Sequence, residues 1–234
     1  MLHSAALRAR AAGFQVRAAY ISPSHDGYVQ PKAAGLGTIG LSASFRLEIA
    51  RRAVADDPLV MVASWEAEFD GSWPDFPDVC AALQQSGVVA SLGSGCRVFY
   101  VCGTDHADKC GLWRRGMGGG IGVVVVPRGA DARVQPERLL PSASSSSSSS
   151  SLGGGDASGM VLVAAPAEGV AGAASFSSTA LREALEGRNE EVVSAMASPA
   201  ASALLLRPSA SEFAAFASDY QKLGLAPAQA TPSP

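Results

Sequence analysis

Five short apolar runs, separated by helix-length segments, constrain this chain more than any other feature. They are FQVRAAYI at 14–21, PLVMVAS at 58–64, CRVFYVC at 96–102, IGVVVV at 121–126 and MVLVAA at 160–165. The last four are nearly continuous in apolar residues, as strands covered on both faces are. Such strands alternating with helices predict an α/β fold with a parallel sheet. Helix candidates lie at 43–56, with Leu47, Ala50 and Val54 on one stripe, and at 75–85. A third, 178–186, follows a Ser-Ser-Thr cap and ends at Gly187. A fourth, 210–223, spaces Phe213, Phe216, Tyr220 and Leu223 along one face.

The chain has 234 residues, 47% of them hydrophobic, enough for one domain with a sizeable core. A net charge of −3 argues against a nucleic-acid partner held by a general basic field. No apolar run reaches membrane-spanning length, so no membrane partner is expected. Cys80, Cys96, Cys102 and Cys110 fit neither a zinc ribbon nor a CxxC motif and read as reduced thiols of an intracellular protein. A helical face carrying Cys102, His106 and Cys110 at i, i+4 and i+8 is the metal-binding alternative. Arg8, Arg10 and Arg17, with no acid before Asp26, suit a transit peptide, but residues 2–12 also read as a helix within the domain. The interval 129–159, with its unbroken serines from Ser144 to Ser151, reads as a disordered insert, and 226–234 as a loose tail.

Four polar or aromatic clusters follow expected strands or open a helix. GMGGGIG at 116–122 is not among them: its spacing misses the dinucleotide fingerprint and it precedes a strand, so it reads as a connector. FSSTALREAL at 176–185 places Ser177, Ser178 and Thr179 at a helix start with Arg182 a turn later, which suits an anion site or an ordinary cap. YVCGTDHADKCGLW at 100–113 ends a strand with Gly103 and Asp105, the latter a ligand acceptor or a helix cap. SWEAEFDGSW at 64–73 puts Trp65 and Glu66 beyond a strand, where an indole can stack on a base or pack in a core. YISPSHDGYVQPK at 20–32 reads as a strand-end loop carrying Ser22, His25, Asp26 and Lys32.

ISPSHDGY at 21–28 resembles the I-S-P-x-x-D-x-Y element of the eukaryotic-type nicotinamide/nicotinate mononucleotide adenylyltransferases, a family of the nucleotidyltransferase superfamily. In that family's order follow Lys32, Arg46, Trp65-Glu66, Cys102-Gly103-Thr104-Asp105, Leu112-Trp113, Val123 to Arg128, and Ser177-Ser178-Thr179-Ala180-Leu181-Arg182. The resemblance covers about residues 12–223 and is interrupted by the serine insert. It implies a Rossmann-like, doubly wound parallel sheet in a single domain over 1–225. It also implies adenylyl transfer from ATP to the mononucleotide, giving NAD and pyrophosphate with Mg²⁺ on the polyphosphate. Such a transfer depends on alignment and charge neutralisation. Carried over residue by residue, Ser22, Asp26, Lys32, Trp65, Glu66 and Trp113 would meet the mononucleotide. Within that set Trp65 would stack on the pyridine, Lys32 would approach phosphate and Trp113 would wall the pocket. Gly103 and Asp105 would meet the nucleotide ribose, and Ser177, Ser178, Thr179 and Arg182 the ATP phosphates.

The departures carry expectations of their own. The family begins with a strand and a histidine-bearing G-x-F-x-P-x-H-x-x-H loop, whereas this sequence starts with MLHSAALRARAAGF, similar to the helix after that loop. His3 then falls about a turn too late to be the motif histidine, and His25 lies on the wrong loop. No catalytic residue is assigned. The first strand of the sheet is expected to be absent, which would leave the strands at 14–21 and 96–102 without their common neighbour. The cost of unpaired backbone would exceed the roughly 5–15 kcal/mol of a typical domain's stability. The expectation is therefore an N-terminal truncation, or a fold that fills the gap, with residues 1–234 inactive or nearly so. A catalytically impaired nucleotide-binding relative, or a transferase for another phosphorylated small molecule, are the alternatives. A homo-oligomer is compatible with all of these. The expected compartment is cytoplasmic or nuclear, with an organelle as the alternative.

Overall fold

In the computed structural model, residues 1–127, 134–138, 159–165 and 177–225 are described. The chain divides into two compact units, Met1–Arg17 with Asp75–Ala174, and Ala18–Pro74 with Ser175–Pro234. It is a mixed α/β protein with two small parallel sheets.

The first unit contains α1 (Leu2–Ala11), α4 (Phe76–Gln84), α5 (Gly87–Ser91), β3 (Phe99–Cys102), α6 (Thr104–Lys109), α7 (Leu112–Arg115), β4 (Gly122–Val125) and β5 (Val161–Val163). Its sheet has the order β3-β4-β5, all parallel, with Phe99 opposite Gly122 and Val123 opposite Val161. The central strand is buried on both faces, as its continuous valines predict. Val123 and Val125 pack with Cys102, Ala107, Leu112 and Trp113 from the α6–α7 side. Val124 and Val126 pack with Ala5 of α1, Phe14, Leu162 and Ala164 on the opposite side. Residues 2–12 thus do have a place in a core. The glycine-rich connector before β4 holds Gly118, Gly119 and Gly120 at φ of 73°, 58° and 77°, a left-handed run that side chains disfavour.

The second unit contains β1 (Ala19–Ile21), α2 (Asp26–Gly35), α3 (Ala43–Ala53), β2 (Val60–Val62), α8 (Ser178–Glu186), α9 (Glu190–Met196), α10 (Pro199–Leu206), α11 (Ala210–Ala215) and α12 (Ala217–Lys222). β1 and β2 pair in parallel, Ala19 opposite Val60. The core is helical: Phe45, Leu185, Val193, Leu204, Leu205 and Tyr220 are buried together. Tyr220 packs edge-on to Phe45 and stacks on Phe213, and its hydroxyl donates to the Leu204 carbonyl at 2.8 Å. Burial pushes that phenol up to about 12. The buried Asp219 carboxylate accepts from Ser42 N–H and Ser42 Oγ, both at 2.6 Å, and so ties α12 to the start of α3.

Several expectations need correction. The five strands exist, each shorter than its apolar run. The segment at 20–32 is not all loop: His25 caps a helix that begins at Asp26 and tolerates Pro31. The 210–223 stripe does face the core, but the helix breaks at Phe216 (φ −124°, ψ 33°). In α3 the most buried residues are Phe45 and Leu47 rather than the full Leu47–Ala50–Val54 stripe. Part of the interval read as insert is packed. Arg138 exchanges backbone hydrogen bonds with Val161, and Glu137 pairs with Arg8 at 2.5 Å. The serine run and the 226–234 tail lie outside the described residues. Among the described residues, no helix is long and apolar enough to cross a membrane.

Two substitutions test this packing. A Cβ at Gly122 would collide with the Phe99 ring, so Gly122→Ala should lower stability by ~1–3 kcal/mol in denaturant titration. Asp219→Ala leaves the two Ser42 donors without their carboxylate and should cost ~1.5–3 kcal/mol in the same measurement.

Candidate functional site

Parallel pairing puts the carboxyl ends of β1 and β2 at one edge of their sheet. The chain continues from them as Ser22 and as Ala63 to Glu66. The Ala63 N–H donates to the Ile21 carbonyl at 2.9 Å, and Ser22 Oγ donates to Glu66 Oε2 at 2.7 Å. Two expected site residues from segments 44 positions apart are therefore joined directly. Trp65, beside Glu66, is 42% exposed and tilts against Phe69 at 4.9 Å between ring centres.

The loop after β1 closes through its helix cap. His25 Nδ1 accepts the Gly27 N–H at 3.0 Å, which fixes the turn into α2. Asp26 does not stand open. Its Oδ1 accepts from Arg46 Nη2 at 2.7 Å and from Gln30 Nε2 at 3.3 Å. Arg46 also donates to the Ser24 and Leu41 carbonyls, which pins both ends of the segment to α3. Burial alone would raise the Asp26 carboxyl. The Ala43 N–H, Arg46 and Gln30 outweigh it and hold the group below the usual carboxylate range. Lys32 Nζ donates to Tyr28 Oη at 3.0 Å and lies 5.0 Å from that ring's centre. Tyr28 tilts on Trp73 at 5.3 Å, and both rings are about two-fifths exposed.

Trp73 was not read as a site residue from the sequence. Its signal was present: an aromatic set between Gly71-Ser72 and Pro74, in a turn with no apolar periodicity to demand a core residue. Tyr28 and Arg46 entered only as members of the resembling motifs.

Ser177 is the N-cap of α8, its Oγ accepting the Ala180 N–H at 3.0 Å. Ser178 and Thr179 are exposed in the first turn. Arg182 turns back along the helix: Nη2 donates to Ser178 Oγ at 3.0 Å, and Nη1 to Thr38 Oγ1 at 3.4 Å. Thr38 borders an open cavity of about 480 Å³ lined by Gln30, Ile39, Gly40, Glu186 and Lys222 among others. Lys222 Nζ donates to the Gly40 carbonyl, and Glu186 accepts the Ile39 N–H.

The remaining expected residues belong to the first unit. Gly103 is the N-cap of α6, and the Asp105 carboxylate lies 2.8 Å from where a Gly103 Cβ would sit. Asp105 is exposed, while Thr104 between them is buried. Trp113 is buried in the sheet core, its indole N–H donating to Asp108 Oδ1 at 2.8 Å. Cys102 ends β3, so it does not share a helical face with His106 and Cys110. Among the described residues, no group of three or more His, Cys, Asp or Glu side chains is arranged to hold a metal ion. The Arg128 position lies outside the described residues.

No protein-family model matches the chain, and no curated protein matches it.

The Asp26–Arg46 pair gives a pH prediction. A carboxyl with a depressed folded pKa contributes stability above its unfolded value of about 3.9, and that contribution is lost as pH falls through the folded pKa. Asp26→Asn should therefore be less stable than the parent chain at pH 7. The gap should narrow as pH falls below about 4, read from denaturation midpoints at both pH values.

Proposed function

We propose that the chain is a nucleotidyltransferase that joins the adenylyl group of ATP to a pyridine mononucleotide, forming NAD and pyrophosphate. The observation that carries this reading is the Ser22–Glu66 hydrogen bond at the carboxyl ends of two parallel strands, with the exposed Trp65 beside it. Carboxyl ends of parallel strands are where open α/β sheets take ligands. An exposed indole there can stack on a pyridine ring, and Glu66 and Ser22 can fix hydroxyls or an amide. In the same unit, α8 opens with Ser177, Ser178 and Thr179 and carries Arg182 a turn later, the donor set that suits a phosphate. In the first unit, Gly103 and Asp105 follow a parallel strand and suit a ribose. Mg²⁺ would accompany the ATP polyphosphate and supply charge neutralisation at the transferred phosphorus.

The Rossmann-like type of the fold is part of the same proposal. All strand pairs within the two sheets are parallel. β1 and β3 fall in separate sheets, each with one strand partner among the described residues.

The test combines turnover and binding. NAD formation from ATP, Mg²⁺ and the nicotinamide or nicotinate mononucleotide is followed by a coupled dehydrogenase assay on the full chain. Mononucleotide binding is followed by quenching of tryptophan fluorescence. Trp65→Ala should weaken binding roughly 5- to 150-fold, the equivalent of ~1–3 kcal/mol of stacking. Ligand-induced thermal stabilisation without NAD formation would point instead to a non-catalytic nucleotide-binding protein. Turnover only with another phosphorylated acceptor would move the substrate. Neither binding nor turnover overturns the reading.

A further inference from the structure

A second cluster of reactive side chains lies in the first unit and takes no part in the proposed transfer. His106 sits on α6, and Cys110 is the residue that ends it. The i, i+4 spacing brings Cys110 Sγ to 3.6 Å from His106 Nε2 and 4.0 Å from Nδ1. Tyr100, on β3, places its hydroxyl 3.1 Å from the same Nε2. Phe76 of α4 stacks on Tyr100 at 4.9 Å and meets the imidazole edge-on at 5.0 Å, so the ring is held between two elements.

We propose that Cys110 is a modification site for small soft electrophiles, peroxides in particular, with His106 as the base that takes the thiol proton. Three observations separate this thiol from an inert one. Cys110 is half-buried and open to a small reagent, whereas Cys80 and Cys102 are buried. Burial pushes the Cys102 thiol up to about 12, so it stays protonated. The Cys110 sulfur has an imidazole within proton-transfer reach, the arrangement that generates thiolates. Cys110 sits at the carboxyl end of α6, where the helix dipole opposes a thiolate. That helix is only six residues long, and the His106 imidazole is the basic group beside the sulfur.

The step balances. The S–H proton passes to His106 Nε2, and the thiolate attacks one peroxide oxygen. An S–O bond forms as the O–O bond breaks, and the departing hydroxide takes the proton from the imidazolium as water. The sulfur is oxidised to sulfenic acid and the peroxide is reduced to water.

Tyr100 sharpens the test. Its hydroxyl lies within hydrogen-bond distance of the same nitrogen as the thiol, so removing it takes away one competitor for that nitrogen. The full chain is treated with hydrogen peroxide in the presence of dimedone, and adducts on each cysteine are timed by peptide mass spectrometry. Cys110 should be tagged at least fivefold faster than Cys96. His106→Gln should slow it tenfold or more with the Cys96 rate unchanged, and Tyr100→Phe should speed it severalfold. Equal rates at Cys110 and Cys96, or a Cys110 rate unaltered by His106→Gln, would overturn the proposal. Circular dichroism reports whether His106→Gln folds. If it does not, Tyr100→Phe decides alone, and a rate at or below that of the parent chain sinks the idea.

Discussion

The first unit depends on β4 being buried on both faces. Val123 and Val125 face one layer, Val124 and Val126 the other, and all four are nearly inaccessible. A strand with no wet face leaves no register in which a polar side chain could sit. Both layers must then be filled. Helices α6 and α7 supply Ala107, Leu112 and Trp113 on one side, and α1 with Phe14 supplies the other. The burial of Trp113 and the existence of α1 follow from the same four valines. This is also why Gly103 and Asp105 can open α6 at the end of β3 while Thr104 between them is buried.

The second unit rests on polar ties rather than a valine strand. Asp219 reaches back 177 residues to cap the first turn of α3 at Ser42, and four residues further Arg46 binds Asp26 and the Ser24 carbonyl. One helix is thereby fixed at its start by α12, the last helix among the described residues, and in turn fixes the loop after β1. Packing of Phe45 against Tyr220 and Phe216 holds the same joint from the apolar side. The Ser22–Glu66 bond then has a supported loop on one side and the β2 end on the other. Side chains aligned this way lose less freedom when a ligand arrives, which is the physical basis of preorganisation.

The strands were legible in the sequence because continuous apolar runs have few other uses in a chain of this length. Their ends were not, since flanking residues such as Phe14 and Cys96 pack in the core without pairing. Helices with a stripe or a cap were legible, α8 from Ser177 to Gly187 most fully. The short ones were not: α5, α6 and α7 run four to six residues, too few to express a period. α2 was hidden because Pro31 argues against helix, yet it lies inside a ten-residue helix capped by His25, which goes without the hydrogen bond that residue would have donated. At the site, residue types were legible and their pairings were not. Nothing in the spacing says that Asp26 belongs to Arg46, that Lys32 lies on Tyr28, or that Trp73 joins them.

Those pairings separate the charged residues by what they are free to do. Arg46 is committed: its bonds go to a carboxylate and two carbonyls, it is largely buried, and releasing it would strand Asp26. Arg182 differs in kind. Its hydrogen bonds among the described residues go to two hydroxyls, at 3.0 and 3.4 Å, which orient the guanidinium without neutralising it. A charge-assisted bond to an oxyanion is about twice as strong as one between neutral groups, so a phosphate can displace either hydroxyl at small cost. Lys32 is in the same position, leaning on a phenol and a ring face rather than on an acid. Two cations are held loosely by neutral partners, one at a helix start and one beside exposed aromatic rings, and both can be recruited by the anionic ligand proposed above. The tightly paired Arg46 is what keeps the loop after β1 in place.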